Sequence, residues 1–446
     1  MRQEHFFHTV CRLAIPVAMQ SMLQASFGVI DQIMIGQLGS VEVAAVGLAG
    51  RFMGIFTVMV SAVSAVAGIM ISQYMGQANQ GEVHRSLAVN MLAAVMLAVF
   101  FTVMCIAFPS QVMGLYTPDE TVVVTAAGYL SVASGTYLPV AGATLLAAML
   151  RCMEKASLPL YASLLAAILN TVLNYLLIFG KCGFAAMGVT GAAVATVAAQ
   201  AANFFLILLL YHKQRDSRGA GWSGNKLTEM FNWKQYFSML LPVFVCEFMW
   251  SFGENIYAAI YGHLGTAAAA AMTLLNPIQG LLIGSLSGVS QAAGVIVGKL
   301  LGSGEQEEAY AASKKLMLYG VVGSLILSAM VVLVRYRYIT LFRVGEPVGL
   351  LTAQIMVAYA LVAPFKVQNM ILGGGIIRSG GKTKYVMFID LIGTWIFGVP
   401  LGFLAAFVLH LTVPYVYFIL SLEECVRFGI SFLVFRRRTW MGHLAS

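Results

Sequence analysis

The segment SAVSAVAGIMISQYMG, from Ser61 to Gly76, aligns without a gap with SGVSQAAGVIVGKLLG, from Ser287 to Gly302. The same offset of 226 residues pairs further prolines and glycines of the two halves. These pairs are Pro16 with Pro242, Gly36 with Gly262, Gly39 with Gly265, Gly68 with Gly294, and Gly76 with Gly302. Chance alone would not place so many matching residues at one constant offset, so the chain contains two copies of one unit.

The composition is that of a membrane protein. Of the 446 residues, 60% are apolar and only 10% are charged, and the mean hydropathy is +0.85. A helix needs about 20 apolar residues to cross the hydrocarbon core of a bilayer. We therefore predict an all-α, polytopic membrane protein with twelve transmembrane helices. They cover residues 10–35, 47–72, 87–109, 121–148, 158–180, 188–212, 235–261, 270–297, 313–335, 349–375, 384–410 and 412–435.

Six helices fall in each copy, which predicts an N-terminal six-helix lobe at 1–212 and a C-terminal lobe at 235–446. The segment 213–234 is rich in glycine, serine and charge, and we interpret it as a cytoplasmic linker. Because six is an even number, both copies insert the same way up, with the repeat axis along the membrane normal. Fused bundles of this kind indicate a transporter whose substrate path runs between the copies.

Lysine and arginine lie almost entirely on one predicted face of the membrane. Cytoplasmic loops carry these residues in excess, so both termini are predicted to be cytoplasmic in a multi-pass protein of the inner (plasma) membrane. The net charge of +8 then reflects topology and attraction to anionic membrane lipid, and we expect no nucleic-acid partner. We also expect a monomer. The exceptions on the other face are Lys181, Arg335, Arg337 and Arg343.

Enzyme signatures are absent from the sequence, which contains no H-E-x-x-H, G-x-S-x-G or P-loop motif. We therefore expect neither an enzyme nor a bound cofactor. The six cysteines show no ligand spacing, and we interpret them as buried apolar residues. They are Cys11, Cys105, Cys152, Cys182, Cys246 and Cys425.

Ionisable side chains inside apolar helices are functional candidates, because each costs roughly 2.5–3.5 kcal/mol on insertion scales. In the first helix, Gln20, Gln24 and Gly28 precede Asp31 along one helical stripe, which we expect to face the interior or a water path. Asp31 among amide and hydroxyl oxygens would bind Na⁺ or hold a proton; the alternative is one structural contact. The whole set is Asp31, Glu247, Glu254, Lys366 and Asp390.

The seventh helix carries a second stripe, in which Glu247, Trp250, Glu254 and Tyr257 stand at i, i+3, i+7 and i+10. Acids with aromatic rings one turn away suit an organic cation. The alternative is that the two glutamates neutralise Lys366 and that Trp250 is interior packing. In the last helix, we interpret Glu423, Glu424 and Arg427 as a local pair at i, i+3 or i+4.

Two predicted helices contain breaking residues. The tenth has Pro364 and the run Gly373–Gly375, and the fourth has Pro139 and Gly142. These residues predict bending points or, equally, close helix packing through small side chains.

Several motifs in order resemble the multidrug and toxic compound extrusion (MATE) transporters over the whole chain. They include IPVAMQSMLQASFGVIDQIMIGQLG in the first helix and LPVFVCEFMWSFGENIYAAIYGHLG in the seventh. LNTVLNYLLIFG, GVTGAAVAT, IIRSGGKT and SLEECVRFGISFLVFRRRTW follow the same family. The Pro-x4-Glu-x2-Trp pattern of the seventh helix is similar to that of the bacterial DinF-like branch.

The resemblance implies an antiporter of two lobes that exports organic cations in exchange for Na⁺ or H⁺ through a cavity that opens alternately to each side. The family's N-lobe cation site matches Asp31, Asn170, Asn174 and Thr196. Some relatives carry aspartate where Asn174 stands, so this chain has one titratable group fewer. That difference favours Na⁺, although Asp31 alone is still able to carry a proton.

In the C-lobe, Glu247 matches a family position, whereas Lys366 stands about where other branches carry an aspartate. The resemblance therefore implies substrate or proton handling by Glu247 and Glu254, with Lys366 as a counter-ion. A flippase for lipid-linked sugars of the same superfamily is the alternative function. A diphosphate substrate would require several cationic side chains in the cavity, and Arg51 and Lys366 are the candidates.

Overall fold

The computed structural model describes residues 3–216, 232–340, 342, 345–442 and 444. Within those residues every regular element is helical. The N-terminal half contains α1 (Gln3–Gly36), α2 (Ser40–Gly76), α3 (Gln80–Ala107), α4 (Pro109–Gly114), α5 (Glu120–Ala133), α6 (Tyr137–Cys152), α7 (Ser157–Phe179) and α8 (Gly188–Asp216). The C-terminal half contains α9 (Trp233–His263), α10 (Thr266–Gly302), α11 (Gln306–Ile339), α12 (Glu346–Asn369), α13 (Thr383–Leu391), α14 (Val399–Phe403), α15 (Val413–Ser421) and α16 (Glu423–Arg436).

Eleven of the helical segments within the described residues are long and apolar enough to cross a membrane. The predicted all-α polytopic class is confirmed. The predicted twelfth helix, 412–435, differs in detail, because it consists of α15 and α16 with a break at Leu422. Glu423 and Glu424, which begin α16, are held by side chains of α9 and α12, so contacts with neighbouring helices accompany the break.

Several spans are not uniform α-helices. A 3₁₀ turn at Ser134–Thr136 joins α5 to α6, and α12 continues as a π-helical segment at Met370–Ile377. Two further π-helical segments, Ile392–Gly398 and Leu404–Val408, flank α14. The turns of a π-helix are wider than those of an α-helix; they are rare and occur frequently at functional sites.

Two of the predicted breaking glycines lie where helices approach closely. A Cβ on Gly375 would stand 2.6 Å from the backbone oxygen of Ser290, and one on Gly142 would collide with the ring of Phe204. The packing interpretation therefore has direct support at both positions. Bending at these residues stays a prediction.

The described chain forms two compact units by its internal contacts. Unit 1 comprises Met1–Ala18, Ser72–Asn79 and Asn232–Ser446, and unit 2 comprises Met19–Ile71 and Gln80–Phe231. The lobe boundaries at 1–212 and 235–446 stay a prediction. Most of the predicted linker 213–234, namely residues 217–231, lies outside the described residues.

The cysteines differ in their surroundings. Cys105, Cys152 and Cys246 are buried, Cys11 and Cys425 are half-buried, and Cys182 is exposed in the connection between α7 and α8. The interpretation of all six as buried therefore holds for three of them. It is wrong for Cys11 and Cys425, which are only half-buried, and for Cys182, because this residue follows the end of α7 and lies in a loop, at a φ of 53°.

Candidate functional site

The four residues predicted for the N-lobe cation site lie together in unit 2. Asp31 comes from α1, Asn170 and Asn174 from successive turns of α7, and Thr196 from α8. Asn174 Nδ2 donates to Asp31 Oδ1 at 2.7 Å. The Asn170 amide, assigned with its nitrogen toward the carboxylate, donates to Asp31 Oδ1 at 2.9 Å and Oδ2 at 3.1 Å. The sequence prediction thus identified side chains that contact one another.

Oxygen atoms of this cluster remain available for a cation. The carbonyl oxygen of the buried Asn174 amide has no hydrogen-bond partner among the described residues. With the Asn170 nitrogen toward Asp31, the Asn170 amide oxygen lies 3.3 Å from Thr196 Oγ1. Carboxylate, amide and hydroxyl oxygens are the ligands that hard cations prefer, and the same carboxylate is able to bind a proton.

Two cavities of unit 2 meet at this cluster, and Gly28, Asp31 and Thr196 line both. One cavity has a volume of about 300 Å³ and the other of about 290 Å³. Polar residues in the first are Gln24, Ser163, Asn170, Gln200 and Asn203; in the second they are Gln32, Tyr129 and Asn174. Asp31 is therefore reachable from more than one direction.

The glutamines of the first-helix stripe have different surroundings. Gln24 lines the first cavity, whereas Gln20 Nε2 donates to Ser163 Oγ at 2.7 Å. Sequence reasoning missed Gln200 and Asn203, although both follow Thr196 at i+4 and i+7 and so share its helix face. Tyr129 carries no comparable signal in the sequence.

The charged residues predicted for the C-lobe separate into two places in unit 1. Glu254 Oε1 lies 4.0 Å from Lys366 Nζ, whereas Glu247 Oε1 lies 3.1 Å from Arg378 Nη1. Lys366 therefore faces one of the two glutamates, and the other has its own arginine. Arg378 belongs to the IIRSGGKT motif, and the sequence did not single it out as a partner.

Asp390 belongs to a partly buried network at the second of these places. It accepts hydrogen bonds from Arg427, including one from Nε at 3.0 Å, and from the thiol of Cys246 at 2.7 Å. Arg378 Nη2 lies 3.8 Å from the same sulfur. The network links Glu247 with Asp390, away from Lys366.

A cavity of about 260 Å³ in unit 1 contains the remaining candidates. Glu254 and Tyr257 of the predicted stripe line it together with Lys366. Trp250 is 42% exposed and is not among the lining residues. Further lining residues with polar groups are Tyr261, Thr273, Asn276, Gln279, Tyr359, Tyr417, Ser421, Glu423 and Glu424.

Glu423 and Glu424 are the functional candidates that the sequence interpretation left out. Both are 5% exposed. The Tyr257 hydroxyl donates to Glu423, and Asn369 Nδ2 donates to Glu424 Oε2 at 2.7 Å. The local contact of Glu424 with Arg427 is present at 3.5 Å, but both acids also line the cavity. Their position in an apolar segment was the available signal.

Comparisons with known proteins agree with this architecture. The MatE family model matches residues 16–176 and 242–404, so both matches begin at the repeated prolines, Pro16 and Pro242. A probable multidrug resistance protein NorM of Agrobacterium fabrum is 27% identical over 330 residues, covering 71% of this chain and 68% of that protein. Multidrug and toxin extrusion protein 1 of Homo sapiens is 25% identical over 399 residues, covering 87% and 67%.

Solved structures have the same fold. An outward-facing multidrug resistance MATE family transporter of the MOP superfamily gives a TM-score of 0.88 at 17% identity, covering 96% of this chain and 95% of that one. The Vibrio cholerae MATE transporter VcmN in its bent form gives 0.86 at 15% identity, covering 97% of each chain. At these identities the likeness establishes the fold alone.

Proposed function

The chain belongs to the MatE family, whose members are transporters and not enzymes, and we propose that it is a secondary active antiporter. It exports organic, mostly cationic amphipathic compounds by alternating access, in exchange for Na⁺ or H⁺. It acts as a monomer in the inner membrane, with both termini in the cytoplasm. The Pro-x4-Glu-x2-Trp motif supports placement in the DinF-like branch.

The observation that carries the proposal is the Asp31 cluster. A carboxylate within a spanning helix is costly, so such residues are rare and usually have a partner or a function. Here two amides hold it in place, and it lines two cavities that a small ion is able to enter. The oxygen-rich set of Asp31, Asn174 and Thr196 supports Na⁺ as the coupling ion, and Asp31 alone supports H⁺ as the second candidate.

The substrate part of the proposal rests on the cavity of unit 1. Glu254 and Glu423 supply negative charge there, and Tyr257, Tyr261 and Tyr417 supply rings. Such a lining attracts organic cations through charge and through ring faces. The names of the human and Agrobacterium relatives, which refer to multidrug resistance and toxin extrusion, support small molecules as the cargo.

A flippase for lipid-linked diphosphates receives less support. Such a substrate requires several unpaired cationic side chains. Arg378 pairs with Glu247, and Arg427 pairs with Asp390. Among the residues that line the cavity of unit 1, Lys366 is the one lysine or arginine.

Efflux from proteoliposomes tests the proposal. The lumen is loaded with a fluorescent organic cation, and a Na⁺ gradient or a pH gradient is imposed, one at a time. Obligatory exchange requires that ion and substrate weaken each other's binding. Asp31→Asn keeps the shape and removes the charge, so we expect loss of gradient-driven efflux with normal insertion in the membrane.

Asp119→Asn is the matched control. Asp119 is exposed and caps α5, and asparagine is an equally good cap, so efflux should be unchanged. Gradient-driven efflux at the wild-type rate in Asp31→Asn would contradict the role of the cluster. A wild-type protein that responds to neither gradient would contradict the antiporter.

A further inference from the structure

The end of α2 meets the end of α10 through equivalent residues of the two copies. The last residues of α2, Ser72–Asn79, belong to unit 1 together with the whole of α10. A Cβ on Gly76 would collide with the backbone oxygen of Lys299, and one on Gly302 would collide with that of Gln73. Gln73 and Lys299 are separated by the repeat offset of 226 residues, as are the two glycines. Backbone therefore touches backbone in a contact that is symmetric between the copies.

A segment after α16 is bound to this end of α2. We call Thr439–Gly442 and Leu444 the strap; these residues do not form a helix. The amide of Leu444 donates to Gln73 Oε1 at 2.8 Å, and Gln73 Nε2 donates to the carbonyl of Gly442 at 3.3 Å. Gln77 Nε2 donates to the carbonyl of Leu444 at 2.8 Å. Two glutamine side chains of the first copy thus hold the backbone of the strap.

The strap is also fixed to the second copy. Trp440 is fully buried, and its Nε1 donates to the carbonyl of Phe435 at 3.3 Å while the two rings stack at 5.9 Å. Lys382 Nζ donates to the carbonyl of Thr439 at 3.0 Å. A Cβ on Gly380 would collide with the carbonyl of Trp440, so the backbones are in contact here as well. The strap therefore connects the end of α2 with α16 and with the segment before α13.

The two attachments of the strap differ in kind. A buried tryptophan removes roughly 150–250 Å² of surface from water, so the attachment to the second copy has a large apolar part. The attachment to α2 includes the hydrogen bonds of Gln73 and Gln77. When such groups separate, each bond is exchanged for one with water, so its net contribution is small. The attachment to α2 is therefore the one that opens more readily.

Alternating access requires that helix ends separate on the side to which the cavity opens, and such movements repack contacts of C-terminal segments. In the proposed topology, the ends of α2 and α10 lie on the cytoplasmic side. We propose that the strap is a latch that stays on the second copy, holds the end of α2 while the cavity is closed to the cytoplasm, and releases Gln73 and Gln77 when it opens. The inference rests on the proposed transport cycle and adds one step to it.

A buried reporter at the contact between α2 and α10 tests the latch without transport. Ser72 is fully buried, and a Cβ on Gly298 of α10 would collide with its hydroxyl. The reporter variant Ser72→Cys is purified as the full chain and treated with N-ethylmaleimide, and each cysteine is followed by peptide mass spectrometry. We expect Gln77→Leu to raise the labelling rate at position 72 about fivefold, because one bond of the latch is lost and slow labelling follows the open population.

Two controls separate release of the latch from general loosening. Cys105, which is fully buried in unit 2, should be labelled at an unchanged rate in the same sample. Gln306→Leu removes an exposed glutamine at the start of α11 and should change neither rate. Gln77 is preferred to Gln73 for the substitution, because Gln73 Nε2 also donates to the carbonyl of Ser379 at 2.7 Å.

A reversible crosslink tests whether the strap has to release during transport. Gln77→Cys and Leu444→Cys are combined and joined by a short bifunctional methanethiosulfonate, which a reducing agent removes. We expect the crosslink to abolish efflux and reduction to restore it. The control pair is Glu307→Cys with Arg438→Cys, whose native side chains are in contact within the second copy. A crosslink there should leave efflux unchanged, because that contact does not involve α2.

The outcomes separate this inference from the function on which it rests. If Gln77→Leu leaves the rate at position 72 unchanged, or raises it equally at Cys105, the latch is overturned and the antiporter proposal stands. Normal efflux with the Gln77–Leu444 crosslink in place would overturn it too. If that double variant does not fold, the labelling rates decide. If the wild type transports no organic cation under either gradient, the efflux proposal fails, and the labelling rates alone decide whether the strap holds α2.

Discussion

At the scale of single residues, the environment of Asp31 limits what the coupling site is able to do. The carboxylate accepts hydrogen bonds from the amides of Asn170 and Asn174, which are neutral and do not titrate. One proton or one Na⁺ therefore neutralises the cluster. A second carboxylate at this place would double the charge that the site has to neutralise.

Asn174→Asp should shift coupling toward protons. Two carboxylates in contact cannot both be ionised unless a cation lies between them, so one of them holds a proton over a wider range of conditions. We expect efflux driven by a pH gradient to rise several-fold relative to efflux driven by a Na⁺ gradient, measured in the same proteoliposomes. Asn232→Asp, at the exposed residue that caps α9, is the control, because aspartate is an equally good cap. An unchanged ratio would exclude Asn174 from ion coupling.

The sequence was sufficient to predict a candidate site residue where the chemistry of a single side chain singled it out. Asp31 was marked by its cost in a membrane helix, and its partners were marked by family resemblance. Glu423 and Glu424 were missed because Arg427 at i+3 or i+4 offered a local explanation. That explanation accounts for the contact between Glu424 and Arg427 but not for the hydrogen bond from Tyr257, a residue 166 positions away.

At the scale of the helix, wide turns and glycines explain how α10 and α12 approach each other. Ser290 Oγ donates to the carbonyl of Met370 at 2.6 Å, where the π-helical segment begins. The backbone oxygen of Ser290 lies where a side chain on Gly375 would begin. The wide turn and the glycine together allow backbone to touch backbone.

Gly375→Ala should therefore destabilise the protein. The added methyl group meets a backbone oxygen at 2.6 Å, and relieving that contact requires the two helices to separate. Overpacking of this kind costs typically 1–3 kcal/mol. Gly429→Ala, within α16, is the matched control, since a Cβ there meets nothing within 4 Å and alanine favours helix by roughly 1 kcal/mol. Thermal unfolding in detergent should show a lower midpoint for the first variant only; equal midpoints would contradict close packing at Gly375.

Helix positions were predictable because hydropathy and breaking residues act locally. Ten predicted segments, from the second to the eleventh, fall on the observed helical segments, although the second, third and ninth begin seven residues after the observed helices do. The π-helical turns and the break at Leu422 were not predictable, because they depend on hydrogen bonds and contacts with other helices. Gly373–Gly375 marked the place of one wide turn, but its geometry depends on Ser290, which is far away in the chain.

At the scale of the whole molecule, the duplication predicts which loops lie on which side of the membrane. If both copies insert the same way up, corresponding loops of the two copies face the same compartment. Cys182 follows the fifth predicted helix. His410 is the last residue of the eleventh predicted helix, which is the counterpart of the fifth in the second copy, and it follows the observed helical end at Val408. Both residues are exposed, and both should face outward if the termini are cytoplasmic.

Labelling of intact cells with a membrane-impermeant maleimide tests this topology with a native residue. Of the six cysteines, Cys182 alone is classed as exposed. We therefore expect the wild type to be labelled and Cys182→Ser to be unlabelled, since Cys11 and Cys425 lie in spanning segments. Adding His410→Cys to the Cys182→Ser variant should restore labelling from outside, because the second copy repeats the orientation of the first. Lys384→Cys in the same background should react only after the cells are permeabilised. Labelling of Lys384→Cys in intact cells, with none at His410→Cys, would mean that the copies are inverted relative to each other, and the parallel repeat would have to be abandoned.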